Sequence, residues 1–164
     1  MKKYIKPPKK QLKKKVKVQK EISYVPNELR EMIADDVKKY MYILGMNNYE
    51  SKIFYLKKEF ASGNYEMTPE GAVKTASTQV DMRYLTVNFQ IYPFLIDQWR
   101  GKNMTNEDVH DVIAHEVAHV ATNHLYRMAT STYKDSGEML DSWEALTTIV
   151  GRLLSAVENL QRKK

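Results

Sequence analysis

His115-Glu116-Val117-Ala118-His119 puts two imidazoles and one carboxylate within five consecutive residues. On a helix of 3.6 residues per turn, positions i and i+4 lie one above the other on a single face. Two neutral imidazoles so placed converge on one point, where each can give a lone pair to the same Zn²⁺ at about 2.0–2.1 Å. Glu116 lies roughly 100° further round the helix, beside that point and not under it. From there a carboxylate accepts a proton from water without serving as a ligand. The chemistry open to these three residues together is hydrolysis by activated water. The string is short, so its weight depends on a third ligand and on a helix that carries it.

A helical wheel separates the other two histidines from this pair. With His115 at 0°, His119 falls at about 40°, His124 at about 180° and His110 at about 220°. His124 therefore reads as a core-edge histidine and His110, in the first turn, as a surface residue. Val109, Ile113 and Val120 fall at about 120–160° and mark the core side next to Glu116. No histidine remains for a third ligand. Carboxylates on the following helix are the candidates: Glu144 first, with Asp141 and Glu138 as rivals. Glu144 shares a stripe with Asp141, Thr148, Gly151 and Ser155, while Leu146, Ile149, Val150, Leu153 and Val157 form a separate apolar face. Small residues at 148, 151 and 155 would let this helix come close to another, as bringing a carboxylate to a neighbouring helix requires.

HEVAH followed 25 residues later by Glu144 resembles the gluzincin branch of zinc metallopeptidases. The small domain is similar to the compact zincin-like peptidases of phages and bacteria. The resemblance covers roughly residues 70–160 and rests on three positions of the motif plus the downstream glutamate. It implies an α+β, zincin-like fold, with a small twisted sheet of about three strands packed on the HExxH helix and on a C-terminal helix bearing the glutamate. It also implies one Zn²⁺ per chain held by His115, His119 and Glu144, with Glu116 as general base in peptide-bond hydrolysis. An edge strand, here Leu85–Ile91 or Ala72–Val80, would hold an extended protein or peptide substrate. An oxyanion donor is still needed; Tyr133, in the loop between the two helices, is the candidate, with Tyr126 two turns along the ligand face. The chain departs from the family at Thr148, where the ExxxD pattern has an aspartate that orients a ligand histidine. Asp141, one turn earlier, could substitute. The metzincin branch is excluded, because its third histidine would fall at Leu125.

The elements that must position these groups are legible in outline. Asn27 after Pro26 can cap a helix running to Leu44, with Leu29, Ile33, Val37, Tyr40 and Leu44 on one face and Gly45 ending it. Ile53–Phe60 reads as a strand, Ser62-Gly63-Asn64 as a turn, and Ala72–Val80 as a weaker strand with polar residues on both faces. Leu85–Ile91 alternates without a break, so Leu85, Val87, Phe89 and Ile91 should face the core. Tyr92-Pro93 closes that strand, and a short helix or link leads to Asn103. Thr105–Asp108 is a capping-box variant ahead of the motif helix, and Asp135-Ser136-Gly137-Glu138 is a second, opening a helix to about Gln161. Trp99 and Trp143 read as core or core-edge anchors.

Composition frames the domain. The chain has 164 residues and no cysteine, which removes disulfides, thiolate ligands and thiol nucleophiles together. No apolar run approaches the roughly 18 residues of a membrane span, and the charged N-terminus lacks a signal-peptide core. The expectation is a cytoplasmic protein with no membrane span. The net charge of +6 is uneven: residues 1–20 carry ten lysines and no acid, leaving 16 basic against 20 acidic residues elsewhere. Residues 1–22 read as a disordered lysine-rich arm and 23–164 as the zincin-like domain. The arm could hold nucleic acid or another polyanion through counterion release, or serve only as a solubilising tail. Two other functional readings stand beside peptide hydrolysis: a zinc hydrolase of a non-peptide substrate, and a nucleic-acid-binding module of the same fold without turnover. If the arm is the polyanion contact, deleting residues 1–20 leaves zinc content unchanged and weakens salt-sensitive DNA binding; undiminished DNA affinity in the truncated protein discards it.

Overall fold

The computed structural model describes residues 24–57, 65–68, 71–132 and 137–162. The lysine-rich arm, the Ser62-Gly63-Asn64 turn, Tyr133 and the Asp135-Ser136 start of the second capping box lie outside them. The described chain forms α1 (Asn27–Ile43), β1 (Glu50–Tyr55), β2 (Ala76–Asp81), β3 (Thr86–Ile91), α2 (Pro93–Arg100), α3 (Asn106–Thr132) and α4 (Gly137–Arg162). This is an α+β arrangement with one mixed three-stranded sheet in the order β1-β3-β2. β1 runs parallel to β3, and β2 runs antiparallel to it.

Local signals account for the helix ends. The first helical residue is Asn27, with Pro26 at the cap and no side-chain cap bond; Asn27 is therefore not the cap that its residue type suggests. At the other end Gly45 takes φ +69° just past the cap residue Leu44, a left-handed conformation that glycine adopts without a Cβ penalty. The Thr105/Asp108 box forms as its sequence implies: the Thr105 N–H donates to Asp108 Oδ2 at 2.7 Å and the Asp108 N–H to Thr105 Oγ1 at 3.2 Å. The bonds that Asp108 Oδ2 accepts from the Thr105 N–H and hydroxyl hold its carboxyl below its ordinary pKa, and the box starts the helix that carries the motif.

β3 is the hub of the sheet. Val87, Phe89 and Ile91 are fully buried, whereas Leu85 is 37% exposed. Leu85 lies in the turn that joins β2 to β3, at φ +50°, so the alternation of the strand does not extend to it. β1 begins three residues earlier than the Ile53 start expected from its apolar residues. Its span is set by pairing with β3, from Glu50 opposite Thr86 to Tyr55 opposite Ile91. The solvated residues Glu50, Ser51 and Lys52 belong to that edge strand and carry no apolar signal. β2 likewise starts at Ala76 and not at Ala72; before it the chain makes only an isolated bridge between Met67 and Val73.

One helical layer covers one face of the sheet. Leu29, Ile33, Val37 and Tyr40 of α1 join Val109, Ile113 and Val117 of α3, Leu95 and Ile96 of α2, and the inward residues of β3 in one buried core. α3 is its axis, packed against α1, β2 and α4. α4 is unusual. Toward the rest of the molecule it buries Thr147, Gly151, Leu154 and Glu158, while Leu146, Ile149, Leu153, Val157 and Leu160 are 38–66% exposed. The inward face of this helix is thus the small and polar one. A Cβ on Gly151 would lie 3.0 Å from His115 Cα and 3.2 Å from His115 N, tighter than most Cβ contacts, so the α3 backbone would have to give by a few tenths of an ångström. Gly151→Ala should therefore lower stability by about 1–3 kcal/mol through overpacking, although alanine is the better helix former by about 1 kcal/mol. A rise in melting temperature would show that the two backbones are not in contact there.

Candidate metal centre

The α3 backbone brings the motif together as its spacing requires. The His115 and His119 rings lie 4.7 Å apart between centroids and nearly perpendicular. His115, Glu116 and His119 each turn a ligand-type atom into one group spanning less than 4.8 Å. Glu144 of α4 completes it. Its Oε2 is 3.6 Å from His115 Nε2 and 3.8 Å from His119 Nε2. Donors bound tetrahedrally at about 2.0–2.1 Å stand roughly 3.3–3.4 Å from one another, so the Glu144 oxygen is within about half an ångström of that spacing from each Nε2. The rival Asp141 lines the same cleft, but among the described residues it is Glu144 that pairs with both histidines. The Glu138 side chain lies outside the described set.

Electrostatics suit a cation. Burial lowers the pKa of His115, and it lowers that of His119 to about 4, with His115 as a lesser cause. Both imidazoles are therefore neutral near pH 7, with lone pairs free. Glu116 is 7% exposed, and burial pushes its pKa up to about 7, opposed by a hydrogen bond from Thr78 and aided by the Glu144 charge. The Thr78 hydroxyl lies 2.7 Å from Glu116 Oε2 and 2.9 Å from the Glu116 carbonyl oxygen. Having a single proton, it donates to one of them at a time. Thr78 sits on β2 and ties the sheet to the motif helix. Sequence reasoning missed it, because polar residues on both faces of β2 looked like a weak strand; they are there because one face looks into the cleft.

A second oversight is Trp143. It is more than a core-edge anchor: its ring lies against His119 with 4.7 Å between centroids, and Tyr126 stacks on its far side at 4.2 Å. Tyr126 is thereby occupied as a wall. Trp143 Nε1–H donates to Thr122 Oγ1 at 2.9 Å, and Thr122 also meets Ala118 O at 3.1 Å and Thr147 Oγ1 at 2.9 Å. A hydroxyl has one proton and two lone pairs, so Thr122 gives its proton to Ala118 and accepts from both Trp143 and Thr147. These bonds fix the face of α4 that carries Glu144. His119 Nδ1 is buried with no hydrogen-bond partner among the described residues. Ligand histidines usually donate this second nitrogen to an acceptor.

The cleft over the site has a volume of about 570 Å³, with Ala76, Ser77 and Thr78 on one wall and Trp143 and Glu144 on the other. A groove of similar volume, about 550 Å³, lies between α1 and the start of β1, but it holds no histidine and is remote from this chemistry. No protein-family model matches the chain, and no curated protein or solved structure matches it either. The site therefore has to be argued from its own atoms.

One further group is metal-like in composition: Asp36, His110 and Glu158, from α1, α3 and α4. His110 is not the surface residue its place in the first turn suggests. Its side chain is 13% exposed, with Nδ1 2.5 Å from Asp36 Oδ2. Glu158 is already matched, by Lys39 Nζ at 2.8 Å and by the Tyr40 hydroxyl, which donates to its other oxygen. Each carboxylate here has its own partner, so the group reads as a hydrogen-bonded lock between three helices.

The two pKa shifts at the motif act oppositely on the metal-free protein. A Glu116 proton that survives to about pH 7 in the folded state is lost near 4.5 when unfolded, so the stability it confers is present at low pH and is lost as pH rises from 4.5 through 7. Neutral His119 costs stability as pH falls from 6.5 toward 4. Glu116→Gln should therefore stabilise the metal-free protein at pH 8 by on the order of 2–3 kcal/mol. That advantage should vanish near pH 4.5, leaving a profile that declines only toward acid. Urea midpoints measured across pH 4–8 check this; equal midpoints at pH 8 would contradict it.

Proposed function

We propose that this protein is a zinc-dependent metallopeptidase. The observation that carries the reading is the approach of one Glu144 oxygen to within 3.6 and 3.8 Å of the two motif Nε2 atoms. His115, His119 and Glu144 would hold the ion, and their two imidazoles and one carboxylate are a donor set of catalytic zinc, which keeps a fourth position open. When bound, zinc supplies water of lowered pKa and polarises a substrate carbonyl. The remaining steps belong to this chain's own side chains. Glu116 stands beside the ligands, with a carboxyl whose pKa near 7 suits both taking up and releasing a proton at neutral pH. It accepts the proton of the attacking water and delivers it to the leaving amine. The Thr78 hydroxyl can donate to one carboxylate oxygen and so orient it, and Trp143 backs the His119 ring.

A peptide substrate is favoured by the sheet. β3 is paired on both sides, so Leu85–Ile91 cannot be the strand that receives substrate. β2 is paired only with β3 among the described residues, and its residues Ala76–Thr78 form the cleft wall. An extended chain laid along β2 would satisfy the strand's outward backbone groups and bring a peptide carbonyl to the histidine pair.

Metal analysis with three variants tests the reading. Native protein should carry one zinc per chain, Glu144→Ala should lose most of it, and Asp141→Ala should keep it. Glu116→Gln should retain zinc and lose peptide hydrolysis by about 10²–10⁴-fold, the usual contribution of a positioned proton acceptor. Full activity in Glu116→Gln, or a chain that takes up no zinc even when it is supplied, would overturn the assignment.

A further inference from the structure

α4 is amphipathic in the direction opposite to what its packing needs. Its buried line of Thr147, Gly151, Leu154 and Glu158 is mostly small or polar, and its large aliphatic residues face solvent. Leu146, Leu153 and Leu160 recur every seven residues, with Ile149 and Ala156 three residues after the first two. This is the a/d spacing of a helix seam, an average period of 3.5 residues. Leu146 is 38% exposed, Ile149 55%, Leu153 61% and Leu160 66%, with Val157 alongside at 38%. Together they leave roughly 500 Å² of apolar surface in a line, at the upper end for a typical monomer.

We infer that this seam is the interface of a two-fold homodimer in which α4 of one copy packs along α4 of the other. Three features favour a second copy over other occupants. The seam has no charged residue at any a or d position from 146 to 160, so it is complementary to itself. Two copies facing each other would bury about 1,000 Å² through the seam residues alone, close to the threshold for a specific interface, before flanking residues are added. The flanks offer no counter-charge to the chain's own lysine-rich arm, because Glu158 is the only acid between residues 145 and 160 and it is buried against Lys39. A lipid surface is also poorly served: an interfacial helix presents several Lys or Arg at its polar border, and this stretch has Arg152 alone. The inference does not depend on the chemistry proposed for the metal centre, since α4 turns its opposite face to the histidines.

Leu153 is the midpoint of the 146–160 seam. With full overlap it meets its own copy whether the two helices run parallel or antiparallel, which makes it the residue to test. The chain has no cysteine, so a single introduced one reports without background. In sedimentation equilibrium the full-length chain should show twice its 19.2 kDa mass. Leu153→Glu, which places a charge in both halves of the contact, should weaken association by more than about a hundredfold, with unchanged helicity by circular dichroism because the site is solvent-exposed in the monomer. Ile149→Glu should do the same. Oxidised Leu153→Cys should cross-link to a covalent dimer, while the control Glu31→Cys, exposed on α1, should not. A monomer at about 100 µM with no cross-link at Leu153→Cys would overturn the proposal. So would a dimer that survives both glutamate substitutions, since another surface would then hold it. A monomer that binds phosphatidylcholine–phosphatidylglycerol vesicles, and loses them on Leu153→Glu, would give the stripe to a lipid surface and equally overturn the dimer.

Discussion

The closeness of α4 to α3 is the constraint on which the site depends. Helices separated by ordinary side chains lie about 8–10 Å apart. At Gly151 the position a Cβ would take is already within 3.0 Å of the His115 backbone. Only at such a separation does a glutamate two turns earlier on α4 bring its carboxylate to both imidazoles. The Thr122 hydroxyl then keeps the two helices from sliding. It accepts from Trp143 and Thr147 and donates to Ala118, so its bonding capacity is complete. A buried hydroxyl with every position filled admits one register, because any slip leaves polar groups unpaired at a cost of about 1–3 kcal/mol each.

The charges in the two histidine-containing clusters are arranged for opposite purposes. At Asp36, His110 and Glu158 each carboxylate has a donor of its own, including the ammonium of Lys39, and the three helices are joined by a closed set of pairs. Around His115 and His119 two carboxylates approach two imidazoles whose burial holds them neutral. Desolvation lifts the Glu116 pKa first, and Glu144 lifts it further. A divalent cation there would lower the Glu116 pKa again and take up the histidine lone pairs.

How much of this was legible in the sequence follows from how local each feature is. HExxH needs only helix geometry, and the buried residues of α1 and α3 were readable from their 3.6-residue period. The approach of Glu144 to the histidines was legible at longer range because the small residues on its stripe advertised a close contact, which Gly151 makes. Thr78 was not legible. Its bond to Glu116 spans 38 residues and depends on which strand lies at the sheet edge, a matter decided by pairing and not by composition. The displaced start of β1 has the same cause, since Glu50–Lys52 are held by register with β3 and not by burial. His110 was misplaced because a wheel drawn on α3 alone cannot show that Asp36 of α1 waits opposite it. In each of these cases the deciding partner comes from another element.

The two unusual properties of α4 share one physical origin. A helix docked by aliphatic residues stands off by the size of those residues, and Glu144 would then fall short of the histidines. A small, polar inward face brings the carboxylate in, yet leaves little apolar area to hold the helix in place: Leu154 is its one fully buried aliphatic side chain. Hydrogen bonds at Thr122 and ion pairing at Glu158 provide register and direction, but each is worth only about 0.5–1.5 kcal/mol net. Burying large aliphatic side chains contributes about 1.5–3 kcal/mol apiece, and on α4 nearly all of that capacity faces outward. Covering the outer seam would supply the stabilisation that the close-packed site denies to the inner one, so the position of Glu144 would become sensitive to what lies on the far side of its helix.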